Sequence, residues 1–299
     1  MASTDLPPSP YVAPVYEWDG QHDGTEHLAI NNTFFRRCLI RLALRTTAKF
    51  YKRNGPCISI SKNKIVKTGY YAHLTEGATI QYLAENTNIP VPKVYCSFLH
   101  KKRAYIVMER IQGKTLPTSW KSLSKESLES ILAQLRAFIQ ELRSLAPPPG
   151  TGVESCVGGT LLDSRLTRGR PRFGPFKTIQ GFHYWLRRDL KPQDLEHREK
   201  DQEWEDLIEM MRLQDGPCNP PVFTHGDLHP FNIIVHDGKV AGIVDWEFAG
   251  WYPHYWEYMA NWHSGILRTE WRDMLDKFLD RPRPEEFKMD TVRNQWWGE

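Results

Sequence analysis

Residues 221–250, PVFTHGDLHPFNIIVHDGKVAGIVDWEFAG, constrain the fold of this chain more than any other stretch. They hold two short apolar runs, 232–235 and 240–244, joined by a turn at 236–239. Two such runs around a short turn predict a β-hairpin, and a hairpin brings its own two ends together. Asp227 and Asn232 stand at one end, Asp245 and Glu247 at the exit of the other strand. The fold therefore gathers carboxylates and an amide at one rim, beside His225 and two glycines. Oxygen ligands grouped in this way suit Mg²⁺ held jointly with substrate phosphates.

The 299 residues allow one large domain or two modest ones. Apolar content of 40% and charged content of 25% are those of a soluble globular chain. A formal net charge of +3 is too small to imply a nucleic-acid partner. Cys38, Cys57, Cys96, Cys156 and Cys218 are scattered and form no CxxC pair, so free, mostly buried thiols in a reducing, cytoplasmic compartment are expected. No run reaches transmembrane length.

Residues 1–24 read as an extended arm and 31–53 as a helix. Phe35, Cys38, Leu39, Leu42 and Thr46 mark one helix face, and Arg37, Arg41, Arg45 and Lys49 another. A basic amphipathic helix can lie on a membrane or dock on a partner. The plainer expectation is an extension packed on its own domain with a solvated basic face. Gly55-Pro56 breaks the chain. Strands are then expected at 57–60, 64–68, 93–98 and 103–109, with one helix over 76–85 capped by Thr75. The apolar period of 126–145 predicts a core-facing helix, 151–176 an irregular connection, and 181–188, 199–213, 255–266 and 269–279 further helices. The charged tail 281–299 ends in Trp296-Trp297. These readings divide the chain into an arm and extension helix (1–54), a small lobe (55–111) and a helical lobe (112–299), an α+β arrangement.

HGDLHPFNIIV followed by VDWEFAG has the order and spacing of a phosphotransfer template: a loop Asp, an Asn five residues later, and an Asp at a later strand end. Over roughly 57–260 the chain resembles the aminoglycoside and choline phosphotransferase-like branch of the kinase-like superfamily, its fungal members most of all. The resemblance implies a protein-kinase-like two-lobed fold and transfer of the γ-phosphoryl group of ATP, with Mg²⁺, to a hydroxyl of a small molecule. It implies that Asp227 orients or deprotonates that hydroxyl, that Asn232 and Asp245 hold Mg²⁺, and that His225 and Gly226 are structural. Lys67 in KIVKTG would reach the phosphates, with Glu76 as its ion-pair partner; Lys62 and Lys64 are neighbouring alternatives, and strand alternation alone does not choose. Met108, Glu109 and Ile111 would lie beside adenine. Ser59 and Ser61 stand where a kinase has a glycine-rich loop, in a turn 59–64 without glycine.

Glu247 shares a face with Asp245 in an extended segment. It assists the metal, meets a substrate cation, or forms a salt bridge. Trp251, Tyr255 and Trp256, with Glu247 and Glu257, offer aromatic faces and carboxylates to a cationic acceptor; the plainer reading is that they pack helices. The alternative to an enzyme is a nucleotide-binding or regulatory protein on the same scaffold, for which the glycine-free turn is the main support.

Overall fold

In the computed structural model, which describes residues 20–51, 53–69, 72–166, 172–263 and 269–298, the chain folds into two lobes. The smaller holds helix α1 (Phe34–Arg45), strands β1 (Arg53–Asn54), β2 (Cys57–Ser59) and β3 (Lys64–Gly69), helix α2 (Leu74–Asn86), and strands β4 (Val94–His100) and β5 (Arg103–Glu109). The strands pair antiparallel in the order β1-β2-β3-β5-β4. Alternation gives this sheet two faces. Val66, Cys96, Phe98 and Val107 fill one and pack under Ile40, Ala43 and Leu44 of α1. Ile65 and Lys67 lie opposite Met108 and Ile106 of β5, and these two belong to the core shared with α2 and the larger lobe.

The larger lobe follows with β6 (Lys114–Thr115), α3 (Leu116–Ser119), α4 (Lys125–Ser144), β7 (Leu161–Leu162), β8 (Arg172–Phe173), α5 (Ile179–Leu186) and α6 (Gln202–Asp215). It continues through β9 (Val222–Thr224), the hairpin β10 (Ile233–His236) and β11 (Lys239–Ile243), β12 (Gly250–Tyr252), α7 (Trp256–His263), α8 (Thr269–Arg272), α9 (Leu275–Phe278) and α10 (Pro284–Trp297). Helix α4 starts where the Ser124 side chain accepts from the Ser127 N–H, and it buries Ile131, Leu132, Leu135, Ile139 and Leu142 as one stripe. The hairpin turns at Asp237-Gly238, both at positive φ (47° and 73°), as a two-residue turn matching strand twist requires. Strand β6 pairs with β10, so the link between lobes is stitched to the hairpin. At Gly113 (φ 146°) a Cβ would meet the Val235 carbonyl oxygen, and only glycine fits there.

Several expectations change. The helix expected over 31–53 ends at Arg45, a 3₁₀ turn covers Thr47–Phe50, and Arg53-Asn54 form the first strand. Its expected inward face is the outward one: Phe35, Leu39 and Leu42 are exposed. Helix α2 is capped by His73, whose ring accepts from the Thr75 N–H, not by Thr75. Segment 269–279 is two short helices, and the charged tail forms α10. The five cysteines are free, but only Cys96 is buried; Cys38 and Cys218 are exposed. The expected arm at 1–19 and residues 264–266 lie outside the described residues. Among those described, no helix is long and apolar enough to cross a membrane.

Candidate functional site

Lys67 enters the space between the lobes from β3, where it pairs across the sheet with Cys57 and Ile106. It is buried, and its Nζ lies 3.0 Å from the carboxylate of Glu76, 2.5 Å from Asp245 Oδ1 and 2.9 Å from Glu247 Oε2. Glu76 comes from the first turn of α2, while Asp245 and Glu247 follow β11. One ammonium thus ties three elements together across both lobes. Lys64 points elsewhere, with its Nζ 4.7 Å from the centre of the Tyr95 ring. Burial alone would push the Lys67 ammonium down, but its three carboxylates hold it well above the ordinary lysine value. Burial pushes the Glu76 carboxyl up, to about 8, against the pull of Lys67 and with the repulsion of Asp245 and Glu247. Glu247 is raised for the same reasons. Three carboxyl groups crowded round one ammonium repel one another when ionised, which adds to burial in raising Glu76 and Glu247. Such a crowded set is one that a divalent cation relieves.

The other half of the site hangs on the loop after β9. His225 is fully buried; its Nε2 bonds the Val244 carbonyl (3.1 Å) and its Nδ1 accepts from the Asp227 N–H (3.2 Å). That pattern fixes the Nε2–H tautomer. Burial depresses the ring below its ordinary value, so it remains neutral at physiological pH. Glu257 of α7 lies under the loop and accepts from the N–H groups of His225 (2.6 Å) and Gly226 (3.3 Å). Gly226 has φ 82°, and a Cβ there would stand 2.9 Å from the Phe248 carbonyl oxygen. The Asn232 amide nitrogen donates to the Asp227 carbonyl (2.8 Å) and carboxylate (3.1 Å). The Asn232 carbonyl in turn accepts from the Val244 N–H (2.9 Å), one residue before Asp245. The hairpin therefore joins Asp227, Asn232 and Asp245 by successive short bonds. Asp245 itself adopts a left-handed backbone (φ 68°), uncommon for a non-glycine residue and a frequent mark of functional sites.

Asp227 is partly buried, which would raise its carboxyl, yet its hydrogen bond with His229 and the nearby Arg165 guanidinium hold it below the usual carboxylate value. It is ionised at neutral pH. Arg165 carries no motif signal in the sequence. It lies in the irregular connection between β7 and β8 and is clamped by Asp163 (2.7 and 2.6 Å). From there it donates to the carbonyls of Gly226 (2.6 Å) and Ala260 (2.8 Å). No periodicity announces such a residue; an Asp-X-Arg pair in a Gly- and Pro-rich stretch is its only trace. His229 was visible in the motif without an assigned part. Glu257 was expected near an acceptor and instead braces the loop from below.

One further expectation is corrected by position. The turn carrying Ser59 and Ser61 is tied to the interlobe link, not to the Lys67 end of the sheet: the Arg110 N–H donates to the Asn63 carbonyl and the Gln112 amide to the Lys62 carbonyl. The turn beside Lys67 is Gly55-Pro56, between β1 and β2, where Cys57 pairs with Lys67 and the Thr68 N–H donates to the Pro56 carbonyl. A glycine (φ 55°) is present there after all. The sequence hid this because 31–53 read as one helix ending at Arg53. Trp251, Tyr255 and Trp256 are buried in the core, as the helix-packing reading has it. Trp251 packs edge-on to Phe223, the Tyr255 hydroxyl pairs with His183 (2.7 Å), and Trp256 stacks on Tyr252. Met108 is buried next to Ile65, the Glu109 carboxylate and N–H engage Lys93, and Ile111 packs over Gly242 at the hairpin.

Comparison with known proteins agrees with this architecture. An aminoglycoside 3'-phosphotransferase of Enterococcus faecalis is 28% identical over 170 residues, 55% of this chain and 56% of that protein, so the chain spans about half the length of the curated relatives it matches. A subtelomeric hrmA-associated cluster protein of Aspergillus fumigatus is 29% identical over 75 residues, 24% of this chain and 15% of that one. The solved gentamicin complex of APH(2")-IIa superposes with a TM-score of 0.53 at 13% identity, covering 89% of this chain and 87% of its own, and so shares the fold. Residues 73–289 match the profile described as the phosphotransferase enzyme family, most of the two-lobed body. The chain belongs to that family.

Proposed function

We propose that this protein transfers the γ-phosphoryl group of ATP to a hydroxyl of a small molecule, with Mg²⁺. The observation that carries the reading is the junction at Lys67, where an ammonium from the small lobe meets Asp245 and Glu247 of the hairpin while Asn232 links that hairpin to Asp227. Among the described residues no three His, Cys, Asp or Glu side chains form a metal cage by themselves. Mg²⁺ in phosphotransfer sites needs none, because one or two protein oxygens and the phosphates complete its shell. Asp245 and the side-chain Oδ1 of Asn232 fit that part, and a divalent cation would relieve the crowding of carboxyl groups beside Lys67. When bound, the ion neutralises charge on the polyphosphate.

In the reaction so assigned, the acceptor oxygen forms a bond to the γ-phosphorus as the bond to the ADP oxygen breaks. Asp227 accepts the hydroxyl proton. A carboxyl held below its usual value is a weak base, so its first task is orientation, with proton transfer late in a loose transition state. Lys67 pairs with phosphate oxygens once the nucleotide draws it from Asp245, and Glu76 keeps it in reach. The turn at Gly55-Pro56 lies nearest the phosphates, and Met108, Glu109 and Ile111 border the adenine end. The binder alternative drew on a turn without glycine, which stands away from Lys67. Burial of Trp251, Tyr255 and Trp256 removes the argument for an aromatic cage, so the acceptor is assigned as a hydroxyl compound without a sign of charge. Aminoglycosides, named for the enterococcal relative, head the acceptors to screen. Kinship with fungal members is part of this proposal and rests on the motif and the short Aspergillus likeness.

The test is Mg²⁺-dependent ATP hydrolysis and acceptor phosphorylation by the protein and by Asp227→Ala. Loss of a transition-state group is expected to lower turnover by about a hundredfold or more while ATP binding persists. Hydrolysis unchanged by the substitution would remove Asp227 from its assigned part.

A further inference from the structure

Helix α1 wears its apolar face outward. Phe34, Phe35, Leu39 and Leu42 are 81, 72, 50 and 57% exposed, and Phe50 in the following turn is 87% exposed. The side that packs on the sheet is the leaner one, with Ile40, Ala43, Leu44 and Ala48. Five of the eight large exposed apolar side chains among the described residues are on α1 and the turn after it. Scattered surface leucines need no account, but a contiguous stripe of phenylalanine and leucine does. Helix α1 and the turn after it carry Arg36, Arg37, Arg41, Arg45 and Lys49, and from His27 to Thr75 the chain has no Asp or Glu at all. Among the described residues the Arg36 and Arg37 guanidinium groups bond to the Asn31 carbonyl and the Asn32 side chain, and neither meets a carboxylate.

We infer that α1 and the turn after it form a docking surface for an anionic lipid bilayer, lying in the plane of the interface. The pattern fits a membrane surface chemically. A helix of 12 residues, about 18 Å long, presents bulky apolar side chains to the acyl boundary and basic ones to the headgroups. A protein groove would be expected to supply acids to some arginines, but only an acidic one could meet a surface this uniformly basic, whereas an anionic leaflet does so everywhere. The inference is independent of phosphotransfer.

Flotation of the full chain with vesicles of phosphatidylcholine alone, or with added phosphatidylserine, tests it. Tenfold or greater preference for the anionic vesicles is expected, falling with salt. The triple substitution Phe35→Ser, Leu39→Ser, Leu42→Ser is expected to abolish binding. Arg41→Gln and Arg45→Gln are each expected to weaken it about fivefold. All these side chains are at the surface, and an unchanged unfolding midpoint confirms that the variants fold. Equal binding to neutral vesicles, no binding, or a triple variant that binds as the parent does overturns the inference. So does sedimentation showing self-association that the triple substitution removes while vesicles bind nothing, which would assign the face to a second copy.

Discussion

Lys67 has been withdrawn from water, and only its carboxylates offset the cost of doing so. Lys67→Met keeps the volume but leaves Glu76, Asp245 and Glu247 facing one another without a cation. Stripping one partner from a buried pair costs about 3–5 kcal/mol, so urea unfolding is expected to show a loss of that order together with loss of ATP turnover. A variant as stable as the parent would mean that the crowded carboxylates are not held by this ammonium. Arg165 works at one remove, through the Gly226 carbonyl on the loop that carries Asp227. Arg165→Lys keeps a charge near Asp163 but, with one nitrogen in place of a planar fork, cannot hold the two-point pair with Asp163 and also reach both carbonyls. Turnover is expected to fall about tenfold or more through misplacement of Asp227, with the ATP dissociation constant unchanged. Equal loss of nucleotide affinity would contradict that division of labour.

At the scale of elements, the position of Glu76 depends on how α2 begins. His73 caps the helix, its Nδ1 accepting from Thr75 and its Nε2 facing the Gln21 carbonyl at 3.0 Å. Burial, with Arg172 and His22 nearby, depresses its ring from 6.5 to about 3. The unfolded chain therefore binds a proton that the folded chain refuses between those values. This contribution is intact above pH 6.5 and is lost as pH falls toward 3, by about 1.4 kcal/mol per pH unit at most. His73→Asn retains a cap without the titration, so unfolding between pH 7 and 5 is expected to be less steeply pH-dependent in the variant. Parallel profiles would deny His73 that role. The hairpin β10–β11 was legible because its apolar runs and its motif are local. Helix α4 was legible because its period is wide and regular. Strand β1 was not, since two residues before Gly55 carry no strand pattern, so Gly55-Pro56 read as a chain break and not as a turn beside Lys67. Helix α1 was found but inverted: its richest apolar face is outside, so the usual rule pointed the wrong way. Helix α10 escaped because its interior is ionic. Asp290 and Arg293 are buried as a bidentate pair (3.0 Å), and hydropathy cannot see a charged core.

For the molecule as a whole, the two lobes meet where the sequence motif is densest, and the family match covers both sides of that meeting. The motif could reveal Asp227, Asn232 and Asp245 because their spacing is short. It could not reveal Arg165 or the bracing role of Glu257, which reach the same loop across long stretches of chain. Nor could composition show that Trp251 and Trp256 belong to the core and not to a ligand. The surplus of carboxylates at the junction implies that the apoprotein holds repulsion which nucleotide and metal relieve, so function and stability oppose each other there. The most direct measurement is the thermal unfolding midpoint of Asp245→Asn beside the parent, each with and without MgATP. The parent is expected to be stabilised by about 2.7 kcal/mol at ligand concentrations a hundredfold above the dissociation constant, while Asp245→Asn unfolds no lower than the parent without ligand and gains nothing from MgATP. Stabilisation of Asp245→Asn by MgATP equal to that of the parent would contradict the account.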